Sequence, residues 1–337
     1  MAARRWPEAA EAWEKVALGA QGSAQREAWE AAGECWRRAD RPARAARALE
    51  MALGLPQPDA QRASGRARLA GVLGELGEGD RARRVAEEAL AHAEGGARAL
   101  VVDTLISTHL GFGRKAAARP LLDELRELDR SGLAVGFRQG QLQRLDGELD
   151  SAEVSFRAVE RALDGQQGAE AGRAAAHMEL AELDCLRGAP ALALGPYEAG
   201  RRLHAEAGRR ALAWRCEAGR VRAAVEAGLP VLSPILDEGL REAVDHDLRL
   251  LEVDLRLARG MARAARDASG ADEDLARAGR AAKAMGCRLR EGRACLERAQ
   301  RGVHLTRAVR EELLVRARVV LEDHVVLHRR ALEVVVQ

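Results

Sequence analysis

The chain has 337 residues, 47% of them apolar and 31% charged, so it can bury a core and is not disordered by composition. Its 54 basic and 52 acidic side chains leave a net charge of +2, which argues against a protein that lives on phosphate backbones. Length allows one long domain or two ordinary ones.

Lysine occurs only at Lys15, Lys115 and Lys283, so every other basic residue is arginine; asparagine is absent. This bias is that of a GC-rich, bacterial genome, and arginine abundance carries no nucleic-acid signal. Strand formers are scarce, while alanine, leucine, arginine and glutamate dominate, so an all-α chain is expected. No apolar core of a signal peptide follows Arg4-Arg5, and no uncharged run is long enough to cross a membrane. The cysteines (Cys35, Cys185, Cys216, Cys287, Cys295) are odd in number and form no CxxC. They are expected as buried thiols in a reducing cytoplasm, without disulfide or zinc.

The elements repeat along the chain. Pro7–Val16 has the pattern of a second helix with no first helix before it. Trp29–Trp36, a break at Ala39–Pro42 and Ala45–Ala52 make a helix-turn-helix with Gly33 and Ala52 at the close approach. The pattern returns as Leu69–Leu73, a turn at Gly77, then Ala82, Ala86 and Ala89. Between Leu100 and Leu128 its phase is open by one or two residues, and Pro120 is expected to interrupt the second helix. It returns at Gly140–Leu145 with Ala152, Phe156 and Val159, and at Leu180–Ala181 with Ala193, Tyr197 and Gly200. The small anchor of the second helix falls at Ala9, Ala45, Ala82, about Ala117, Ala152 and Ala193.

Beyond residue 205 the units lengthen: 209–227 with 230–244, 248–268 with 271–285 split at Ser269-Gly270, and 288–301. Thr306 can cap one last helix running to about Val335, with Leu313, Val320, Leu327 and Val334 every seven residues and Leu314, Leu321, His328 and Val335 beside them. This stripe is expected to cap the preceding helices, or else to form a homodimer or dock on a larger protein. The half repeat at the start and the apolar finish suggest a piece, or a close partner, of a larger assembly.

This periodicity resembles the tetratricopeptide repeat, a helix-turn-helix unit of about 34 residues. Trp29, Ala32, Gly33, Trp36, Ala45, Leu49, Ala52 and Pro56 carry the resemblance in one unit; Leu69, Ala70, Leu73, Gly77, Ala82, Ala86 and Ala89 carry it in another. It covers about residues 5–205, with steps that fit the longer bacterial variants. It implies an α-solenoid of stacked antiparallel helix pairs in a right-handed superhelix. The expected organisation is repeats over 1–205, degenerate longer repeats over 206–302, and a capping or dimerisation helix over 303–337.

In this family the first helix of each pair lines the concave wall, so the resemblance makes Glu30, Glu34, Arg37, Arg68, Phe137, Gln141, Arg144, Met178 and Glu182 the candidate groove residues. The chaperone-clamp subtype is disfavoured because its asparagine is missing and two of the three lysines fall outside first helices. The groove is mixed in charge, so the expected partner segment carries both signs, with an apolar anchor near Phe137.

Candidate chemistry is sparse. Gly77-Glu-Gly79-Asp-Arg-Ala82 and Gly111-Phe-Gly113-Arg-Lys-Ala116 read GxGxxA, but a helix precedes each, so both are read as turns and not as nucleotide cradles. His324 and His328, with Asp323 beside them, are read as core or interface residues, because no third metal ligand is evident. His246 and Asp272–Asp274 belong to helix starts. The arginines of 201–222 (Arg201, Arg202, Arg209, Arg210, Arg215, Arg220, Arg222) are read as a solvated face. No nucleophile motif, cofactor site or enzyme is indicated. The expected function is a non-catalytic cytoplasmic scaffold that binds a protein or peptide in its groove, with no nucleic-acid or membrane partner. The alternative is the ligand-sensing segment of a bacterial signalling kinase or transcription regulator.

Overall fold

The computed structural model describes residues 5–231, 234–266, 270–302 and 304–334. Among these it has 18 helices and no strand: α1 (Trp6–Gly19), α2 (Gly22–Arg38), α3 (Pro42–Leu53), α4 (Asp59–Glu75), α5 (Gly79–Leu90), α6 (Gly95–Gly111), α7 (Lys115–Leu128), α8 (Leu133–Asp146) and α9 (Leu149–Leu163). Then come α10 (Glu170–Leu186), α11 (Pro190–Glu206), α12 (Arg210–Glu226), α13 (Pro234–Asp245), α14 (Arg249–Ala264), α15 (Ala271–Ala284), α16 (Arg288–Arg301), α17 (Arg307–Val320) and α18 (Val325–Glu333). Even-numbered helices α2–α16 are the first helices of units, and α1 and the odd ones are second helices. Each packs mainly on its chain neighbours, and first helices also meet first helices, as α4 meets α6 and α12 meets α14. The molecule is an α-solenoid.

The pairing contact is a small residue facing a large one. A Cβ on Gly33 in α2 would come within 2.9 Å of Leu49 Cγ in α3, and one on Gly140 in α8 within 2.7 Å of Phe156 Cε1 in α9. The anchors Ala45, Ala82, Ala152 and Ala193 are fully buried. In α7 the anchor is Ala118, one residue on from the expected Ala117, which is exposed.

Several expectations change. Pro120 does not interrupt α7, which runs through it. Its missing N–H costs one helical bond, while Ala118, Leu122 and Leu125 bury the inward stripe on both sides of it. The last helix is two helices. Thr306 does cap α17, accepting from the Val309 N–H at 3.4 Å, but α17 ends at Val320. His324 then caps α18, its Nδ1 accepting from the Leu327 N–H at 3.3 Å. The break turns Leu327 and Ala331 onto Leu186 and Leu296, so Leu314, Val320, Leu321 and Leu327 are buried within this chain. Val335 and Ser269 lie outside the described residues.

The superhelix is also more closed than an open curved wall. Turns of the early units touch late ones. Asp40 Oδ2 accepts the Ala211 N–H at 2.9 Å; Gly77 lies against Met285; Gly113 and Gly147 approach Arg288 and Val325, where an added Cβ would sit 3.2 and 3.3 Å away. Gly77 and Gly113 hold φ of +81° and +76°, ending their helices as turn residues.

Gly140→Val is expected to cost about 1–3 kcal/mol in chemical denaturation, because Phe156 has nowhere to retreat. Gly71→Ala, at an exposed position inside α4 with open space at its Cβ, should gain about 0.5–1 kcal/mol in the same assay.

Candidate functional site

First-helix side chains point inward and line the concave side. Closure of the superhelix converts that side into a chamber of about 330 Å³. One wall comes from Asp40, α4 and α6 (Gly71, Gly74, Glu75, Thr104, Thr108), with Phe112 next to α6. The opposite wall comes from α12, α14 and α16, with Leu212, Arg215, Leu250, Leu251 and Arg290, together with Leu248. Arg138 of α8 and Asp103 of α6 lie at one edge, joined by hydrogen bonds of 2.7 and 3.1 Å.

The charges on the two walls are not equally spent. Arg290 grips Asp254 with two bonds, 2.8 and 2.9 Å, and is held more basic than usual. Arg215 shares that carboxylate only through Nε, at 3.2 Å, and its side chain is 40% exposed to the chamber. Burial and the nearby Arg290 lower its pKa. Across the chamber, Glu75 is 39% exposed, with Arg209 at 3.4 Å and Arg37 at 4.0 Å. Burial pushes the Glu75 carboxyl up despite both arginines, and burial likewise raises Asp40 against its bond from Ala211. Asp40 and Glu75 thus line one side of the chamber and Arg215 the other, Glu75 and Arg215 each keeping part of its side chain exposed beside its ion-pair neighbours.

The nine candidate groove residues divide. Glu30 lies near Arg68 (3.5 Å) and Arg26 (3.9 Å) in a shallow depression shared with Gln61 and Ser64. Glu34 is chelated by Arg37 (2.8 and 2.9 Å) and Arg38 (2.8 Å), which holds its carboxyl below the usual range against the rise from burial. Phe137 packs edge-on against Phe156, ring centroids 5.6 Å apart. Gln141 donates to Glu179 at 2.7 Å, and Arg144 lies 3.0 Å from the same carboxylate. Met178 is half-buried against the cluster that contains Tyr197. Glu182 accepts from Tyr197 (2.6 Å), Arg222 (2.6 Å) and Arg293 (3.1 Å). Burial raises its pKa, but Arg222 and Arg293 outweigh it and hold the carboxyl well below normal. Gln141, Arg144 and Glu182 are therefore tied into an internal network, while Glu30 and Arg68 stand apart from the chamber.

Sequence reasoning missed Asp40, Glu75, Arg138, Arg209, Arg215 and Arg290 as chamber residues. The signal was the repeat phase itself, which continues through α12, α14 and α16 with lengthened units. The arginines of 201–222 do not form one solvated face: Arg209, Arg215 and Arg222 turn inward, whereas Arg201 and Arg220 pair locally with Glu198 and Glu217.

Removing the Asp40 carboxylate uncaps α12 from the far side of the chamber. Asp40→Gly tolerates the backbone φ of +54° and is expected to lose about 1 kcal/mol and to expand the molecule in small-angle scattering; Asp40→Asn should keep both properties. His204, buried in α11 with both ring nitrogens unpartnered, has its pKa lowered by burial to about 4. It folds neutral, whereas the unfolded chain takes up a proton near pH 6.5, so stability should fall as pH drops from about 6.5 towards 4. His204→Leu should flatten that slope by up to one proton in denaturation measured across the range.

No family model and no curated protein matches this chain. Among solved structures it is similar to a Rap protein complexed with competence and sporulation factor: 13% identity, 93% of this chain and 82% of that one covered, TM-score 0.59. It also aligns with a tetratricopeptide repeat protein from Parabacteroides merdae at 14% identity, over 87% of this chain and 98% of that one, TM-score 0.40. The chain shares the α-solenoid fold of that Rap protein.

Proposed function

We propose that this protein is a non-catalytic interaction scaffold that takes a protein or peptide segment into its concave chamber. The observation that carries this reading is the facing of partly exposed charges, Glu75 with Asp40 against Arg215, beside an apolar surface of Phe112, Leu212, Leu250 and Leu251. A segment with both charge signs and an apolar side chain would discharge each wall and cover that surface. The Rap neighbour is itself complexed with a factor, which agrees with a solenoid built to hold a guest. The outlying Glu30 and Arg68 would extend the contact along the early units.

A second reading, a ligand-sensing regulatory segment, is favoured by the seam between early turns and late helices. The same chamber is bounded by Asp40 and Ala211, which bond across that seam, so an occupant would bias how tightly the two arms close.

Both readings are testable with lysate partners captured by photo-crosslinking from the chamber wall. Glu75→Arg with Arg215→Glu should cut capture at least tenfold, and Arg68→Glu less; unchanged capture in the chamber variant would overturn the reading. Scattering with and without the captured partner should differ in dimensions only if the regulatory reading is correct.

A further inference from the structure

Helix α1 is built as a second helix, and the rest of the solenoid defines what its outward face is made to do. In every other early unit, the fourth, eighth and eleventh residues of the second helix pack on a first helix. In α3 these are Ala45, Leu49 and Ala52; in α9 they are Ala152, Phe156 and Val159; all six are buried. In these two units the covering first helix offers a glycine to the middle residue, Gly33 to Leu49 and Gly140 to Phe156. Counted the same way, α1 offers Ala9, Trp13 and Val16. Ala9 is only partly covered, Trp13 is 43% exposed and Val16 50% exposed. The adjoining face of α1 is already used: Ala10 and Ala17 are fully buried, and the Trp36 indole donates to Glu14 at 2.8 Å. Among the described residues no helix covers the Trp13 face.

We propose that this face binds the same face of a second copy of the chain, with the two α1 helices antiparallel about a two-fold axis. The proposal is independent of the chamber and of its guest. Small residues, Ala9 and Ala12, occupy the first half of the stripe, and large ones, Trp13 and Val16, the second. Antiparallel pairing therefore lays Trp13 of each copy over Ala9 of the other, the same large-on-small contact that joins α2 to α3 and α8 to α9. The flank is complementary as well. Glu8 and Lys15 are seven residues apart on one side of the stripe, so each faces the other's counterpart across the axis. Both side chains are exposed. A pair of 14-residue helices buries less than the roughly 1,200 Å² of standard interfaces, which makes this a weak, reversible dimer.

Sedimentation of the full chain between roughly 1 and 500 µM is the test, the range where an interface of this class titrates. The wild type should pass from monomer towards dimer as concentration rises. Trp13→Glu, at an exposed position, should keep the helical circular dichroism and weaken the dimer at least tenfold. Glu8→Lys should weaken it, and Glu8→Lys with Lys15→Glu should restore it. A monomer throughout the range, a dimer indifferent to Trp13→Glu, or failure of the double charge swap to restore association would each overturn the proposal.

Discussion

The structure depends on one contact repeated along the chain: a small residue on one helix facing a large one on its partner. Gly33 beneath Leu49 and Gly140 beneath Phe156 set how closely the two helices of a hairpin approach. That distance fixes how each hairpin stacks on the next, and the stacking sets the curvature that brings early turns within reach of late helices. Neither hairpin nor helix could bury its apolar stripe alone, so the core is a continuous seam and not a central ball.

Curvature has an electrostatic consequence. As the superhelix closes, the inward charges of the first helices lose water and must find one another. Most do: Glu182 is bound by Tyr197, Arg222 and Arg293, and Asp254 by Arg290. Burying charges is costly unless they are paired, and a broken pair is worse than none. Glu75 and Arg215 are the partial exceptions, and they face each other's wall of the same chamber. The balance between spent and unspent charge separates what holds the fold from what still faces open space.

Much of this was legible in the sequence, and the reasons are physical. Ala45, Ala82, Ala152 and Ala193 announced themselves because a helix anchor needs a side chain with almost no volume, a demand that recurs with the repeat. The turns at Gly77 and Gly113 were readable because glycine ends a helix at positive φ with no steric cost. The contacts between early turns and late helices were not legible, because they depend on curvature summed over many units, which no local pattern encodes. The break at 321–324 was hidden behind an unbroken seven-residue apolar spacing, since a helix turned back on itself still buries the same residues. Arg209, Arg215 and Arg222 were read as solvated because a charge-rich stretch looks alike whether it faces water or a chamber.

Asp40 ties the turn after α2 to the first turn of α12, 171 residues downstream. A ribosome releases the earlier end of that tie long before the later end exists. The nascent chain must therefore pass through a stage in which several hairpins are stacked yet the inner wall is still uncovered, with Asp40 and Glu75 in water at their ordinary acidity. The two walls of this space are thus joined only once α16 has been made, after the acidic wall is already in place.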